Sequence, residues 1–452
     1  MIFQEMLDRK MQEMTVEDLS LAIALKDYNL DVVRLMEQND GNIEVVEKKT
    51  SCLVGKLVCF VFEDYLKDNG FDAEPISWGR VKWNVPTYQM IEYGPDKKKR
   101  CFFEGTFILR KNGFTYLFKG ESIHKGWIFS VRAPKNADPS AQVIVEDLAA
   151  LALKNNFYKG TKITPNLEFI KFDKPHTWDD IVLADELKRE IRSNIENIIE
   201  NTVIFKKNNL KIKRGLIFSG PPGVGKTLLG KILCSMYGWS FIWVSPGNML
   251  NPDSLDMVGT MARDLSPCIL FLEDIDLVAE DRQSSQQKNR LGELLNQLDG
   301  MQENNDLIVL GTTNDISGLD KAIVSRPGRF DKVIDFGLPA KSERLKLLEL
   351  YGGTFIIENK DEIFESVAQQ TEGLSGAHMK EIVDCAILKA VDNKSWDADQ
   401  KIILKKEFFE EAVQIASKKI FESKPAGFVD FRPPEYKMCG KDSPFDAPKE
   451  TL

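Results

Sequence analysis

No apolar run in this chain approaches the ~20 residues that a membrane-spanning helix needs; the longest, such as 57–62, fall far short. No secretory leader opens it, because Glu5, Asp8, Arg9 and Lys10 interrupt the first segment. Both absences lead us to expect a cytoplasmic protein with no membrane partner. Seven cysteines are scattered without a C-x-x-C pair or any metal-ligand spacing, so they read as reduced, mostly buried thiols. The three histidines, His124, His176 and His378, form no H-E-x-x-H, which excludes a zinc-protease site of that kind within these residues. Positive charge is not in excess either. The net charge of −9 argues against binding nucleic acid through the whole surface, and no basic stripe studded with aromatics appears. The runs Lys97-Lys98-Lys99-Arg100 and 206–214 read as solvated loops, so nucleic acid is not an expected partner.

What is present is the composition of a soluble globular protein, 43% hydrophobic and 29% charged over 452 residues. That length exceeds one hydrophobic core, so two or three domains are expected. Residues 1 to about 75 read as helical, with apolar spacing of three and four over 16–37 and 53–67. From 76 to 133 the texture is that of strands, at 80–85, 101–110, 114–119 and 126–131. Gly94-Pro95-Asp96 and Lys111-Asn112-Gly113 supply turns between them, and Asn112-Gly113 is a hairpin signal. A helix over 139–156 and a closing strand over 167–172 complete an α+β amino-terminal domain, 1–170. Across 171–340 apolar strands at 215–219, 240–245, 268–273, 307–312 and 332–336 alternate with helical patterns. That alternation predicts an α/β core with a parallel five-stranded sheet. Residues 341–423 read as a helical lid with helices at 341–351, 361–370, 375–393 and 405–421, apart from a weak strand signal at 354–357. A tail over 424–452 carries five prolines.

The segment Gly220-Pro221-Pro222-Gly223-Val224-Gly225-Lys226-Thr227 fits the phosphate-loop pattern G-x-x-x-x-G-K-[ST]. It lies where that pattern has to lie, after a buried strand and before a helix headed by Leu228. Glycines let successive backbone N–H groups point at one spot, and the helix N-terminus adds positive potential. Lys226 then reaches terminal phosphates, and the Thr227 hydroxyl is placed to hold Mg²⁺. These residues, with Leu228, are the candidate segment for binding a nucleoside triphosphate. Further along, Cys268-Ile269-Leu270-Phe271-Leu272 leads into Glu273-Asp274-Ile275-Asp276. A strand ending in adjacent acids can deliver one carboxylate to the metal and another to attacking water.

A third strand, Leu307-Ile308-Val309-Leu310-Gly311-Thr312-Thr313-Asn314, precedes Leu319-Asp320-Lys321-Ala322 and Ser325-Arg326-Pro327-Gly328-Arg329-Phe330-Asp331. With Leu294-Leu295-Asn296-Gln297-Leu298-Asp299-Gly300 and Gly373-Leu374-Ser375-Gly376-Ala377, these segments resemble the AAA (AAA+) ATPases over about 176–420. The resemblance implies an ATP-hydrolysing ring, most often a hexamer, that remodels or unfolds a protein substrate or complex. It implies that Asn314 positions the attacking water and that Arg326 and Arg329 are arginine fingers reaching a neighbouring subunit's site. Ile181 and Val182 would lie beside adenine, and Gly376 and Ala377 on the lid side of the nucleotide. The amino-terminal domain would select a protein substrate or adaptor.

Two departures stand out. The acidic pair runs Glu273 then Asp274, where most of the family has Asp then Glu. Either Glu273 serves Mg²⁺ and Asp274 polarises water, or the roles are exchanged. This order, and the entry segment Thr177-Trp178-Asp179-Asp180-Ile181-Val182-Leu183, resemble the branch that contains the mitochondrial translocase of the Rieske iron–sulfur protein, although this sequence shows no transmembrane helix. The position where many unfoldases carry a gripping aromatic falls at Asn248-Met249-Leu250. Both departures keep open an alternative, a slowly hydrolysing nucleotide-gated assembly switch.

Overall fold

In the computed structural model, residues 42–76, 85–124, 126–210, 212–250, 252–277, 294, 306–319 and 330–422 are described. The amino-terminal part is built on two helices with serine N-caps. Ser51 accepts the N–H of Val54 to start α1 (Cys52–Asp68), and Ser140 accepts that of Val143 to start α2 (Ala141–Lys154). Their buried faces cover an antiparallel sheet of β1 (Ile43–Thr50), β2 (Asp72–Pro75), β3 (Thr87–Gly94), β4 (Lys97–Lys111), β5 (Phe114–Ile123) and β6 (Gly126–Pro134), in the order β1-β6-β5-β4-β2 with β3 on β4. Asn112 and Gly113 take φ of 52° and 80° and join Lys111 to Phe114, the two-residue turn that matches strand twist. The core is aromatic, with the ring of Phe62 stacked on Phe118 at 4.2 Å.

Two parts of the helical reading of 1–75 are corrected here: 43–50 and 72–75 are strands. β1 pairs with β6 along its whole length, and that ladder overrides any local helical preference. The closing strand predicted at 167–172 is also absent. Leu167, at φ 62°, turns the chain back on itself, leaving only an isolated bridge from Phe169 to Ile163. The helix predicted over 16–37 and nearly all of the strand at 80–85 lie outside the described residues, as does the tail.

The second sheet is parallel throughout. It runs β12 (Lys332–Asp335), β8 (Lys213–Ser219), β11 (Leu307–Thr313), β10 (Cys268–Leu272), β9 (Ser240–Val244), β7 (Lys162–Ile163). The five predicted strands are therefore present, and β7 adds a sixth that apolar runs could not announce because it has two residues. Helices α3 (Asp185–Glu200), α4 (Thr202–Lys207), α5 (Lys226–Met236), α6 (Pro246–Leu250) and α7 (Pro252–Asp264) accompany this sheet along the chain. The helical segment is α8 (Lys341–Gly352), α9 (Lys360–Gln370), α10 (Gly376–Asp392) and α11 (Lys406–Glu422). It closes over its own core, which includes Leu348, Phe364, Ile382 and Phe409. The weak signal at 354–357 becomes β13 (Ile356–Ile357), paired with β14 (Ile403–Leu404).

Two compact units result. The first comprises 1–177, 190–219 and 227–335; the second comprises 178–189, 220–226 and 336–452. Within the first, the amino-terminal sheet is tied to the parallel one. β7 extends the parallel sheet, and the Ser51 hydroxyl donates to Asp264 at 2.9 Å. The Lys162 ammonium donates to the carbonyls of Tyr237 and Trp239, which satisfies a half-buried cation. Among the described residues no helix is long and apolar enough to cross a membrane.

Candidate active site

In the second unit the glycine-rich loop is fixed by close backbone approach. Gly220, Gly223 and Gly225 have φ of 153°, 81° and 104°, values that side chains rarely adopt. Gly223 shows why no side chain fits. A Cβ there would sit 2.7 Å from both the Ser375 hydroxyl and the Ala377 Cβ. The lid helix α10 begins at this point, and the Ala377 N–H donates to the Gly223 carbonyl at 3.0 Å. Ser375 caps that helix, while its own N–H donates to His378 Nδ1 at 3.1 Å.

Ile181 meets the same loop, its Cδ1 lying 3.1 Å from where a Cβ of Gly225 would be. Val182 instead packs against the lid core. Of the four residues assigned to the adenine and lid sides, Ile181, Gly376 and Ala377 thus border the loop. The Lys226 ammonium donates to the carbonyls of Gly220 at 2.6 Å and Pro221 at 3.0 Å, inside the curl of the loop. Val224 is buried beneath it.

In the first unit, polar side chains gather at the carboxyl ends of the neighbouring strands β11, β10 and β9. Thr227, in the first turn of α5, donates from its hydroxyl to Glu273 Oε1 at 2.8 Å. The other oxygen of Glu273 accepts the indole N–H of Trp243 at 3.0 Å. Asp274 follows at φ 47°, so strand alternation ends at Glu273. A left-handed residue, not the pleat, sets the direction of the second acid. The Asp274 N–H donates to the Thr312 hydroxyl at 2.8 Å, and that hydroxyl lies 3.4 Å from Asp274 Oδ1. Asn314 is exposed just past β11, and its N–H donates to Asp276 Oδ2 at 3.2 Å. Asp276 is buried, and its Oδ1 has no hydrogen-bond partner among the described residues.

Three of these groups, Trp243, Thr312 and Asp276, were not among the predicted site residues. Asp276 stood in plain view in the acidic run, but its role depends on a contact across strands. Leu228 is half-buried at the head of α5. Arg326 and Arg329 lie outside the described residues. Asn248 Oδ1 accepts the Ser245 N–H and hydroxyl, a local turn at the start of α6.

The donors present suit a hard divalent cation. Mg²⁺ favours a carboxylate and a hydroxyl combined with phosphate oxygens over an all-protein cage. The Thr227–Glu273 pair supplies those two oxygens. Among the described residues no cluster of three or more His, Cys, Asp or Glu could hold a metal ion. The curled loop, with Gly223 too crowded for a side chain, could cradle a phosphate with its backbone N–H groups.

Residues 216–338 match the family model described as "ATPase family associated with various cellular activities (AAA)". The chain is 32% identical over 291 residues to "ATP-dependent zinc metalloprotease FtsH 2" of Thermoanaerobacter sp. (strain X514), a match spanning 61% of this chain and 55% of that protein. It is 32% identical over 246 residues to "ATP-dependent zinc metalloprotease YME1 homolog" of Schistosoma mansoni, covering 50% of this chain and 37% of the relative. It is 30% identical over 263 residues to "Probable 26S proteasome regulatory subunit 10B" of Caenorhabditis elegans, covering 56% and 62%. The chain therefore spans less than two thirds of each. The loop, the acidic strand end and the Asn314 turn all fall inside the matched segment, so the part of this chain that carries the candidate site is the part similar to the AAA ATPases.

Proposed function

We propose that this protein is a Mg²⁺-dependent ATP phosphohydrolase that assembles into a ring, most simply a hexamer, and uses turnover to remodel, unfold or disassemble a protein substrate or complex. The observation that carries the reading is the Thr227–Glu273 hydrogen bond at the end of the phosphate loop. It ties the phosphate-binding helix to the acidic strand end, as phosphoryl transfer to water requires. Backbone N–H groups of 220–226 and the Lys226 ammonium bind and orient the phosphates. Thr227 and Glu273 would hold Mg²⁺, which when bound neutralises charge on the β- and γ-phosphates.

Asp274 accepts the proton of the attacking water, and Asn314 orients that water. General-base assistance of this kind contributes ~10²–10⁴ in rate. Ile181 and Val182 serve the adenine side, and Gly376 and Ala377 the lid side. Arg326 and Arg329 act across the subunit boundary, where a guanidinium offsets charge as the phosphoryl group leaves, worth about 10³–10⁵ in rate. The relatives named as ATP-dependent metalloproteases and a proteasome subunit support protein as the substrate class. The amino-terminal domain, 1–170, selects the substrate or adaptor, and the absence of any membrane-crossing helix among the described residues supports a cytoplasmic setting.

The test is phosphate release from ATP by the purified, assembled chain. Lys226→Ala abolishes release if the reading holds. Equal rates in Lys226→Ala and the unaltered protein refute it.

A further inference from the structure

The function proposed above gives the metal to Glu273, the first of two adjacent acids, and the local geometry around Glu273 points to what holds it there. Both of its carboxylate oxygens are engaged by donors on different elements. Oε1 takes the Thr227 hydroxyl from α5 at 2.8 Å, and Oε2 takes the Trp243 indole N–H from β9 at 3.0 Å. The Glu273 backbone is tied to the same strand as the indole, its N–H donating to the Val244 carbonyl at 2.9 Å.

Trp243 is itself held in place. Its ring lies 4.6 Å from that of Phe271 and 6.0 Å from that of Phe241. Those two rings, both buried, are 6.0 Å apart. Three aromatic rings on adjacent strands leave the indole little rotational freedom. An indole N–H donates only. It therefore selects a carboxylate in its acceptor state and fixes the plane of that carboxylate.

From this arrangement we infer that Trp243 is a positioning residue that holds Glu273 as the metal-side carboxylate of the site, leaving the water-activating role to Asp274. The glutamate is longer than the usual aspartate by one methylene and has one more torsion to order. The indole bond supplies that order at the oxygen that Thr227 does not engage. The inverted acid order and the tryptophan thus form one device. Where the first acid is long, a fixed donor from the neighbouring strand keeps it from swinging toward the phosphate side. Outer donors of this kind orient metal ligands, and their loss typically costs ~10–100-fold in metal affinity.

This inference rests on the nucleotide-hydrolysis reading, and a binding experiment separates the two. Affinity of the purified protein for a fluorescent ADP is measured across free Mg²⁺ concentrations, and again in chelator without Mg²⁺. For Trp243→Phe, which keeps the ring but removes the N–H, we expect the Mg²⁺ midpoint to rise about tenfold. Affinity in chelator, which depends on the loop, stays at the unaltered value. Trp243→His, which restores a ring N–H, brings the midpoint back toward the unaltered protein. In a Glu273→Ala background Trp243→Phe adds no further shift, because the acceptor is gone.

An unchanged midpoint in Trp243→Phe overturns the inference, as does an equal additional shift in the Glu273→Ala background. If Trp243→Phe does not fold, Trp243→Leu, which also lacks the N–H, takes its place: a raised midpoint supports the inference, and an unchanged one overturns it. Failure of the unaltered protein to bind ADP under any condition sinks the nucleotide reading itself, a result distinct from these.

Discussion

The Ala377 N–H donates to the Gly223 carbonyl at 3.0 Å, so the first turn of a lid helix rests directly on the phosphate loop. This contact requires that residue 223 have no side chain. At φ 81° a Cβ would lie 2.7 Å from Ser375 Oγ and from Ala377 Cβ. The helix start and the loop are therefore one packed element, and lid position and loop conformation are linked.

Gly223→Ala tests that packing. The left-handed backbone alone costs an alanine about 1–2 kcal/mol, and relieving the clash displaces Ser375. We expect nucleotide affinity to fall by roughly tenfold or more, with helical content by circular dichroism unchanged. Unaltered affinity would show that the loop tolerates a different backbone path.

His378 offers a second test of the same junction. Its Nδ1 accepts the Ser375 N–H at 3.1 Å and lies 2.8 Å from the Ser375 hydroxyl. Removing a cap of this kind costs about 1 kcal/mol. His378→Ala should lower thermal stability by a few degrees and weaken nucleotide binding only modestly. His378→Asp restores an acceptor at the same helical position and should recover both.

Asp264 governs a pH-dependent term in the first unit. Burial raises its carboxyl above the ordinary carboxylate range, and the Ser51 hydroxyl opposes that shift only in part. For an acid whose folded pKa is raised, the folded state binds the proton more tightly than the unfolded one. The penalty is absent below the unfolded value of about 3.9 and sets in as pH rises through the folded pKa. Asp264→Asn keeps an oxygen acceptor for Ser51 without the charge. Unfolding in denaturant from pH 4 to 8 should therefore show the variant gaining stability relative to the unaltered protein as pH rises. A constant difference would contradict the assignment.

Much of this architecture was legible from the chain. The five strands of the parallel sheet are short apolar runs bounded by glycine, proline or acids, and each formed close to its predicted bounds. The helices of 341–422 formed close to their predicted bounds and closed over their own core. What remained hidden depends on partners distant in sequence. β1 is a strand because β6 pairs with it, 43 lying opposite 134, and no local pattern announces that pairing. β7 has two residues and exists because β9 offers an edge.

The site divides in the same way. The loop and the acids are contiguous motifs that chemistry makes readable. The Trp243–Glu273 bond joins residues 30 apart, and in sequence Trp243 is simply an aromatic inside a buried strand. Alternation along a strand suggested how adjacent acids take two roles. The positive φ of Asp274 sets the direction of the second acid instead, and a non-glycine residue in that conformation carries no dependable sequence mark.

The most direct test separates binding from chemistry. ATP binding and single-turnover hydrolysis are measured side by side for the unaltered protein, Lys226→Ala and Asp274→Asn. The account predicts that Lys226→Ala loses both ATP affinity and turnover. Asp274→Asn should retain bound ATP while hydrolysis falls by about 10²-fold or more. Hydrolysis by Asp274→Asn at the unaltered rate would contradict the account.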